Sequence, residues 1–168
     1  MSRVITAEPH TAQAFSPFGE VLDAAGEPDQ IINQGRCGRF DDRATLEFMD
    51  GRAGISLFKA TPRTLPYTLD MVERHPYGSQ AFMPMSHDPF LVVVAPDDGG
   101  SPGRPRAFMT APGQGVNLFR GTWHGVLAPL FEPGLFAVID CIGDGPNVER
   151  HWFEQAFVVE NGRQEAGS

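Results

Sequence analysis

The segment ERHPYGSQ, residues 73–80, carries three side chains that could hold a metal ion or a polar substrate. Side chains two positions apart on a strand share a face, so Glu73 and His75 should point one way and Arg74 the other. Residues 76–79 predict a turn, and a hairpin there would return Gln80 to the side of His75. A carboxylate, an imidazole and an amide oxygen that converge in this way favour a divalent metal site or a polar binding site.

A second stretch, GQGVNLFRGTWHG at residues 113–125, supplies the distant candidate His124. A turn at its internal glycine would let Trp123 and His124 open a strand, and His124 would then complete a site with His75. Both clusters also have a plain structural interpretation. In that interpretation Glu73 is a solvated edge residue, His75 is a hydrogen-bonded turn histidine, and His124 packs in the core against Trp123.

The other histidines and one buried acid have weaker signals. His10 and His87 adjoin prolines and are predicted to be solvated, whereas the apolar neighbours of His151 predict packing on the body of the protein. Asp140 lies inside an apolar run, where an unpaired carboxylate would be costly to bury. It is therefore expected to pair with a donor such as His or Arg, and whether that pair lies in the site is left open.

The elements that must position these residues are short strands separated by turns. Strands are predicted at residues 55–60, 69–75, 80–83, 90–95, 107–110, 116–119, 122–127, 135–141 and 157–160, and their regular spacing indicates a sandwich or barrel. Residues 90–95 are apolar on both faces, which predicts a central strand covered on both sides. One short helix is predicted at residues 9–15, with Thr6 as a possible cap and Ser16-Pro17 ending it.

The bulk composition bounds the class of protein. The chain has 168 residues, of which 41% are hydrophobic and 20% charged, and this predicts one domain over residues 1–160 with a disordered polar tail at 161–168. A net charge of −8 without a cluster of Lys and Arg excludes a nucleic-acid partner. No segment approaches the ~20 apolar residues of a membrane helix or has the form of a signal peptide. Two distant cysteines and no signal segment predict a reduced, cytoplasmic protein.

Several strings in the chain are specific enough to carry a resemblance. Glu73-x-His75-x(4)-Gln80 and the later FRGTWHG resemble the two metal-binding motifs of cupins, with Glu and Gln replacing two of the usual ligands. The strings ERHPYGSQAFMPM, FLVVVAP, GQGVNLFRGTWHGVLAPL and HWFE resemble the ureidoglycolate lyase family. The similarity extends from about Phe15 to about Val159, and it implies an all-β, cupin-type antiparallel β-barrel or jelly roll.

The resemblance also implies a reaction. It is the elimination of (S)-ureidoglycolate to glyoxylate and urea in the breakdown of allantoin and purines, with a small anionic substrate and a homodimer. A divalent metal, nickel in this family, would be held by Glu73, His75, Gln80 and His124. Alternatively His75 or His124 acts as the base, since an unperturbed imidazole titrates near neutral pH, and Gln80 binds the ureido group.

The substrate's carboxylate and ureido group need further partners. Lys59 shares a strand face with two apolar residues, so it either points inward to the carboxylate or reaches solvent at the strand end. Ser79 and Asn117 could hydrogen-bond the ureido group, although an Asn near a turn is often structural. Arg74 alternates away from His75, so a surface ion pair or a dimer contact suits it better than the substrate.

Three other functions remain open at this stage. The same compound could be hydrolysed with release of ammonia, which product analysis would distinguish from urea. The chain could instead be a non-catalytic cupin that binds a small acid, since two of the usual ligands are replaced. A metal-dependent oxygenase or isomerase is the third, because one fold hosts many reactions.

Overall fold

The computed structural model describes residues 2–162. Within that range it contains one short helix, α1 (Ala12–Phe15). The strands are β1 (Val4–Thr6), β2 (Glu8–Pro9), β3 (Gly19–Leu22), β4 (Gln30–Ile32), β5 (Cys37–Arg39), β6 (Arg52–Lys59), β7 (Tyr67–Arg74), β8 (Gln80–Pro84), β9 (Phe90–Ala95), β10 (Asp97–Asp98), β11 (Ser101–Pro102), β12 (Arg106–Met109), β13 (Gly115–Leu118), β14 (Trp123–His124), β15 (Ala128–Pro129), β16 (Leu135–Ile142) and β17 (Glu149–Glu160).

Most strands belong to two sheets. The larger sheet has the order β1-β17-β7-β14-β9-β12-β2, with β15 also paired to β9, and the smaller has the order β3-β13-β8-β16-β6. Strands β1 and β2 stand at opposite ends of the larger sheet, although only Ala7 separates them in the chain. The larger sheet must therefore curl until its ends nearly meet, which confirms the prediction of an all-β barrel with a short N-terminal helix.

Strand β9 packs against an apolar layer on each side. Phe90, Val92 and Val94 belong to the core between the two sheets, whereas Leu91 and Val93 belong to the core inside the curled sheet. All six residues of the strand are buried. This confirms the prediction of a doubly covered central strand, whose side chains alternate between the two cores.

The sequence located several other elements inexactly. The helix begins at Ala12 rather than residue 9, because Thr11 and not Thr6 is its cap and accepts a hydrogen bond from the Ala14 amide at 3.2 Å. Strand β17 is much longer than the predicted 157–160, and residues 122–127 contain only the two-residue strand β14. Of the stretch predicted as a tail, only residues 161 and 162 lie within the described range.

The turn after β7 does not form the predicted hairpin. Strand β7 lies in the larger sheet and β8 in the smaller one, so residues 75–79 cross between sheets. This crossing has a consequence for the site, because it brings the last residues of β7 and the first residue of β8 to the same end of the space between the sheets.

Candidate active site

His124 and Glu73 lie opposite each other on neighbouring strands of the larger sheet. Their Cα atoms are partners in the β14–β7 ladder, and His124 is also the partner of Val94 in β9. Val94 faces the core between the sheets, so residues in register with it face the same way. Both functional side chains therefore point into the space between the two sheets.

His75 completes this group from the connection that follows β7. One ligand atom from each of Glu73, His75 and His124 lies within 4.8 Å of the others, and the two imidazole rings are 5.1 Å apart between centroids. The predicted meeting of two stretches distant in the chain is confirmed. The solvated-edge interpretation of Glu73 is wrong, since only 19% of its side chain is exposed.

Backbone carbonyls fix the orientation of both imidazoles. Nδ1 of His75 lies 2.7 Å from the carbonyl oxygen of Asn147, and Nδ1 of His124 lies 2.9 Å from that of Gly125. A carbonyl oxygen only accepts, so each Nδ1 must carry the proton. The two Nε2 atoms then present lone pairs, and both are buried without a hydrogen-bond partner.

The burial of His124 also affects its charge. Removal from water lowers its pKa to about 4, and the neighbouring His75 acts in the same direction, while the Gly125 carbonyl opposes both. His124 is therefore neutral at neutral pH, with its Nε2 lone pair available to accept a proton or bind a cation.

Gln80 reaches the same end of the cavity from the smaller sheet. Its Nε2 donates a hydrogen bond of 3.3 Å to Oδ2 of Asp140, and its Oε1 is buried without a partner. Burial raises the pKa of the Asp140 carboxyl, whereas the Gln80 hydrogen bond and the charge of His75 act to lower it. Asp140 thus has a hydrogen-bond donor, but it is the Gln80 amide and not the predicted His or Arg, and the pair lies close enough to His75 for its charge to act on Asp140.

The group has the donor set of a divalent metal site. Two imidazole nitrogens and a carboxylate oxygen converge, and the Gln80 amide is bonded to Asp140, which lies near His75. Nε2 of both histidines and Oε1 of Gln80 are buried without a hydrogen-bond partner. Imidazoles whose second nitrogen is held by a carbonyl are typical of metal ligands. The residues therefore fit a divalent cation.

A small void adjoins one member of this group. It has a volume of about 20 Å³, which is room for about one water molecule, and it lies next to His124 among apolar side chains. On the solvent side of the group Glu73 meets Arg150, whose side chain is 56% exposed.

The chain is similar in sequence to proteins of one known family. The model of the family described as Ureidoglycolate lyase matches residues 2–160. A Rhodobacter capsulatus protein named ureidoglycolate lyase is 58% identical over 154 residues, which is 91% of this chain and 96% of the relative. Proteins of the same name from Mesorhizobium japonicum and Chelativorans sp. are 51% and 49% identical, over 92% and 94% of this chain and 96% of each relative.

The chain belongs to the ureidoglycolate lyase family.

In this family member, Ser79 and Asn117 do not reach the predicted site. In the β13–β8 ladder Leu118 opposes Gln80, so Asn117 lies on the other face of the sheet. Nδ2 of Asn117 donates to Oε2 of Glu20 and the hydroxyl of Ser79 accepts from the Glu47 amide. Both side chains therefore bind neighbouring residues on the outer face of the smaller sheet. The prediction that they bind the substrate is wrong.

Lys59 and Arg74, the two cations considered for the substrate, also lie away from the group of Glu73, His75 and His124. Lys59 lies on the exposed face of β6 with Ile55 and Leu57, so the prediction that it points inward is wrong. Arg74 pairs with Glu149 at 2.7 Å and with Asp97 at 2.9 Å, on the face opposite Glu73. The expectation of a surface ion pair for Arg74 is confirmed, and its alternative assignment to the substrate is not supported.

Arg150 was not among the predicted site residues, and the prediction for His10 is wrong. Arg150 is the β17 partner of Glu73 in register and pairs with its carboxylate at 3.4 Å, while 56% of its side chain is exposed. Strand β17 is longer than predicted, and a register shift between Trp152 and Phe157 breaks the alternation of its side chains between the two faces. The face on which Arg150 lies therefore does not follow from counting back from Phe157. His10, predicted to be solvated, is only 4% exposed and packs edge-on against Phe15 at 4.5 Å.

The remaining predictions concern cysteines and membranes. Cys37 and Cys141 are both unpaired, as expected from their separation. No helix among residues 2–162 has the length and apolar character needed to cross a membrane. His151 packs edge-on against Trp123 and Phe153, with centroids 6.3 and 5.4 Å away, which agrees with its predicted packing role.

Proposed function

We propose that this protein cleaves (S)-ureidoglycolate to glyoxylate and urea in the breakdown of purine-derived ureides. Membership of the ureidoglycolate lyase family supports the substrate and the reaction. The observation that carries the proposal to particular residues is the convergence of Glu73, His75 and His124, with both Nε2 atoms free, at the end of a cavity between two sheets.

The reaction moves one proton. The carbon–nitrogen bond to the ureido group breaks, the hydroxyl oxygen loses its proton as the aldehyde forms, and the departing nitrogen gains a proton to give urea. The protein must therefore bind a carboxylate, remove a proton from oxygen and return one to nitrogen. One neutral imidazole can perform both transfers.

A divalent ion, with nickel as the family candidate, fits Glu73, His75, His124 and Oε1 of Gln80. Imidazole ligands suit nickel, zinc, copper and iron, so the donor set alone does not select among them. When bound, the ion would polarise the substrate oxygens that it contacts and lower the pKa of the hydroxyl. Metal analysis of purified protein and activity after chelation test this part of the proposal.

In the absence of an ion, His75 is the better base of the two imidazoles. His124 is 5% exposed and its pKa is lowered to about 4, so it is a weak base far from solvent. His75 is partly exposed, and its Nδ1–H bond to Asn147 leaves Nε2 as the acceptor. Full activity after complete metal removal would favour this variant of the mechanism.

Arg150 takes the role that the sequence assigned to Lys59. It is a cation on the same face of the larger sheet as Glu73, and more than half of its side chain is exposed. Arginine can bind a carboxylate through two parallel hydrogen bonds. We assign it to the carboxylate of ureidoglycolate, with the uncharged end of the substrate directed towards Gln80.

A homodimer in the cytoplasm completes the proposal. Strand β6 is an edge of the smaller sheet, and on its outer face Ile55 is 75% and Leu57 65% exposed. Exposed apolar side chains at an open sheet edge are suited to a symmetric contact with a second copy of the same strand. The two unpaired thiols are typical of a reducing compartment.

Product analysis tests the function itself. Purified protein is mixed with racemic ureidoglycolate, and glyoxylate, urea and ammonia are measured together. We expect glyoxylate and urea in equal amounts, with half of the racemate consumed rapidly. Ammonia in place of urea would indicate the hydrolase, and no product above the spontaneous rate would favour the small-acid-binding cupin.

A further inference from the structure

Strand β16 extends the row of inward-facing side chains from the core to the site. Phe136 and Val138 are buried between the sheets, and Asp140 is the next residue on the same face. In the β16–β8 ladder Ile139 opposes Ala81, so Asp140 and Gln80 occupy the adjacent position on the inner face. The register thus places a carboxylate beside the Gln80 amide.

This neighbour determines which end of the Gln80 amide is left without a partner. A carboxamide can rotate to exchange its oxygen and its NH2 group, and the two orientations differ only in their hydrogen bonds. Nε2 of Gln80 donates to Oδ2 of Asp140 at 3.3 Å, so this contact selects the orientation with the NH2 group towards Asp140. The Oε1 atom is then directed away from Asp140, and it is a buried acceptor without a donor.

We propose that Asp140 is a positioning residue that fixes Gln80 as an oxygen donor for a divalent ion at Glu73, His75 and His124. This inference rests on the metal centre of the proposed function. It assigns to Asp140 no contact with the ion or with the substrate. An Asn at position 140 would remove the selection, because its own amide can either donate to Gln80 or accept from it.

The test is metal affinity, measured by calorimetric titration of metal-free protein with Ni²⁺. We expect the D140N variant to bind Ni²⁺ at least about tenfold more weakly than the wild type, as is usual when a partner of a ligand is lost. The variant D144N is the matched control, since Asp144 is an exposed acid in the following turn. It should bind with the wild-type affinity.

A swapped pair separates positioning from general damage. In the double variant Q80E/D140N the introduced carboxylate accepts from the introduced amide, so an oxygen again faces the imidazoles while the net charge equals that of the wild type. We expect the Ni²⁺ affinity of this double variant to return to within about threefold of the wild type. The variant Q80A, which has no amide at this position, should bind Ni²⁺ weakly. Thermal unfolding of each variant verifies the fold, and the swapped pair decides the question if D140N is unstable.

Wild-type affinity in D140N would overturn the inference, as would a folded swapped variant that binds no better than Q80A. Failure of the wild type to bind Ni²⁺, Co²⁺ or Zn²⁺ would overturn it together with the metal centre. Formation of glyoxylate and urea, assayed on the same samples, would show whether the lyase function survives that result.

Discussion

His75 and His124 face each other across the end of the cavity, with ring centroids 5.1 Å apart and an interplanar angle of 37°. Each donates its Nδ1–H to a backbone carbonyl, from Asn147 and Gly125 respectively. The two Nε2 atoms are left buried without a hydrogen-bond partner, within one group of possible ligands that includes Glu73. A proton or a cation bound there would satisfy them.

Arg150 should govern substrate affinity. Replacement of Arg150 by Ala removes the proposed partner of the carboxylate, and we expect KM to rise about tenfold to a hundredfold, since a hydrogen bond to a charged group contributes about 1.5–3 kcal/mol. The change in kcat should be smaller. Steady-state kinetics measures KM and kcat of R150A. The control is R36A, because Arg36 is an exposed arginine in the β4–β5 hairpin. An unchanged KM in R150A would remove Arg150 from the site.

His10 should make stability depend on pH. Burial lowers its pKa to about 4, against opposing effects of Gln114 and Asp23, so the folded protein keeps it neutral where the unfolded chain binds a proton near pH 6.5. The free energy of unfolding should therefore fall as pH decreases from 6.5 to 4, by roughly 3 kcal/mol from this residue at 1.36 kcal/mol per pH unit.

The variant H10F isolates this contribution, because a phenyl ring can occupy the contact with Phe15 and has no proton to bind. Chemical denaturation of wild type and H10F at pH 7 and pH 4 measures the difference. We expect the wild type to lose about 3 kcal/mol more than the variant. Equal losses in the two proteins would mean that His10 is protonated in the folded state.

The outer face of β6 should hold the dimer together. A charge at the centre of an apolar contact is costly to bury, so I55K and L57K should shift the protein towards monomers without loss of fold. Sedimentation velocity measures the change, and V148K, which introduces the same charge at another partly exposed apolar position, is the control. A wild type that sediments as a monomer at micromolar concentration would contradict the proposed dimer.

Local patterns indicated the imidazole pair as one of two interpretations, and they did not fix the faces of the smaller sheet. Glu73 and His75 were found because alternation along one strand is a short-range property. Asn117 and Gln80 lie on different strands, and whether they share a face depends on register, which the segment between them does not encode. Gln80 lies near His75 because residues 75–79 cross from one sheet to the other, whereas the sequence predicted a hairpin within one sheet.

Burial by distant residues was equally hard to foresee. His10 follows Pro9 and resembles a solvated turn residue, yet Phe15 and Phe108 cover it once β2 pairs with β12. Lys59 is the opposite case. Ile55 and Leu57 on its face have the pattern of a core strand, and nothing within the described chain covers them. An apolar face that meets a second copy is indistinguishable in sequence from one that meets the core.

The most direct test of the account is the rate of glyoxylate and urea formation by H124A, compared with the wild type and with H87A. His124 provides one of the two free nitrogens and His87 is exposed outside the group. We expect kcat/KM to fall by at least about a hundredfold in H124A, on the order of what one acid–base or metal-binding group contributes, and to be unchanged in H87A. A folded H124A variant with the wild-type rate would contradict the assignment of catalysis to this cavity.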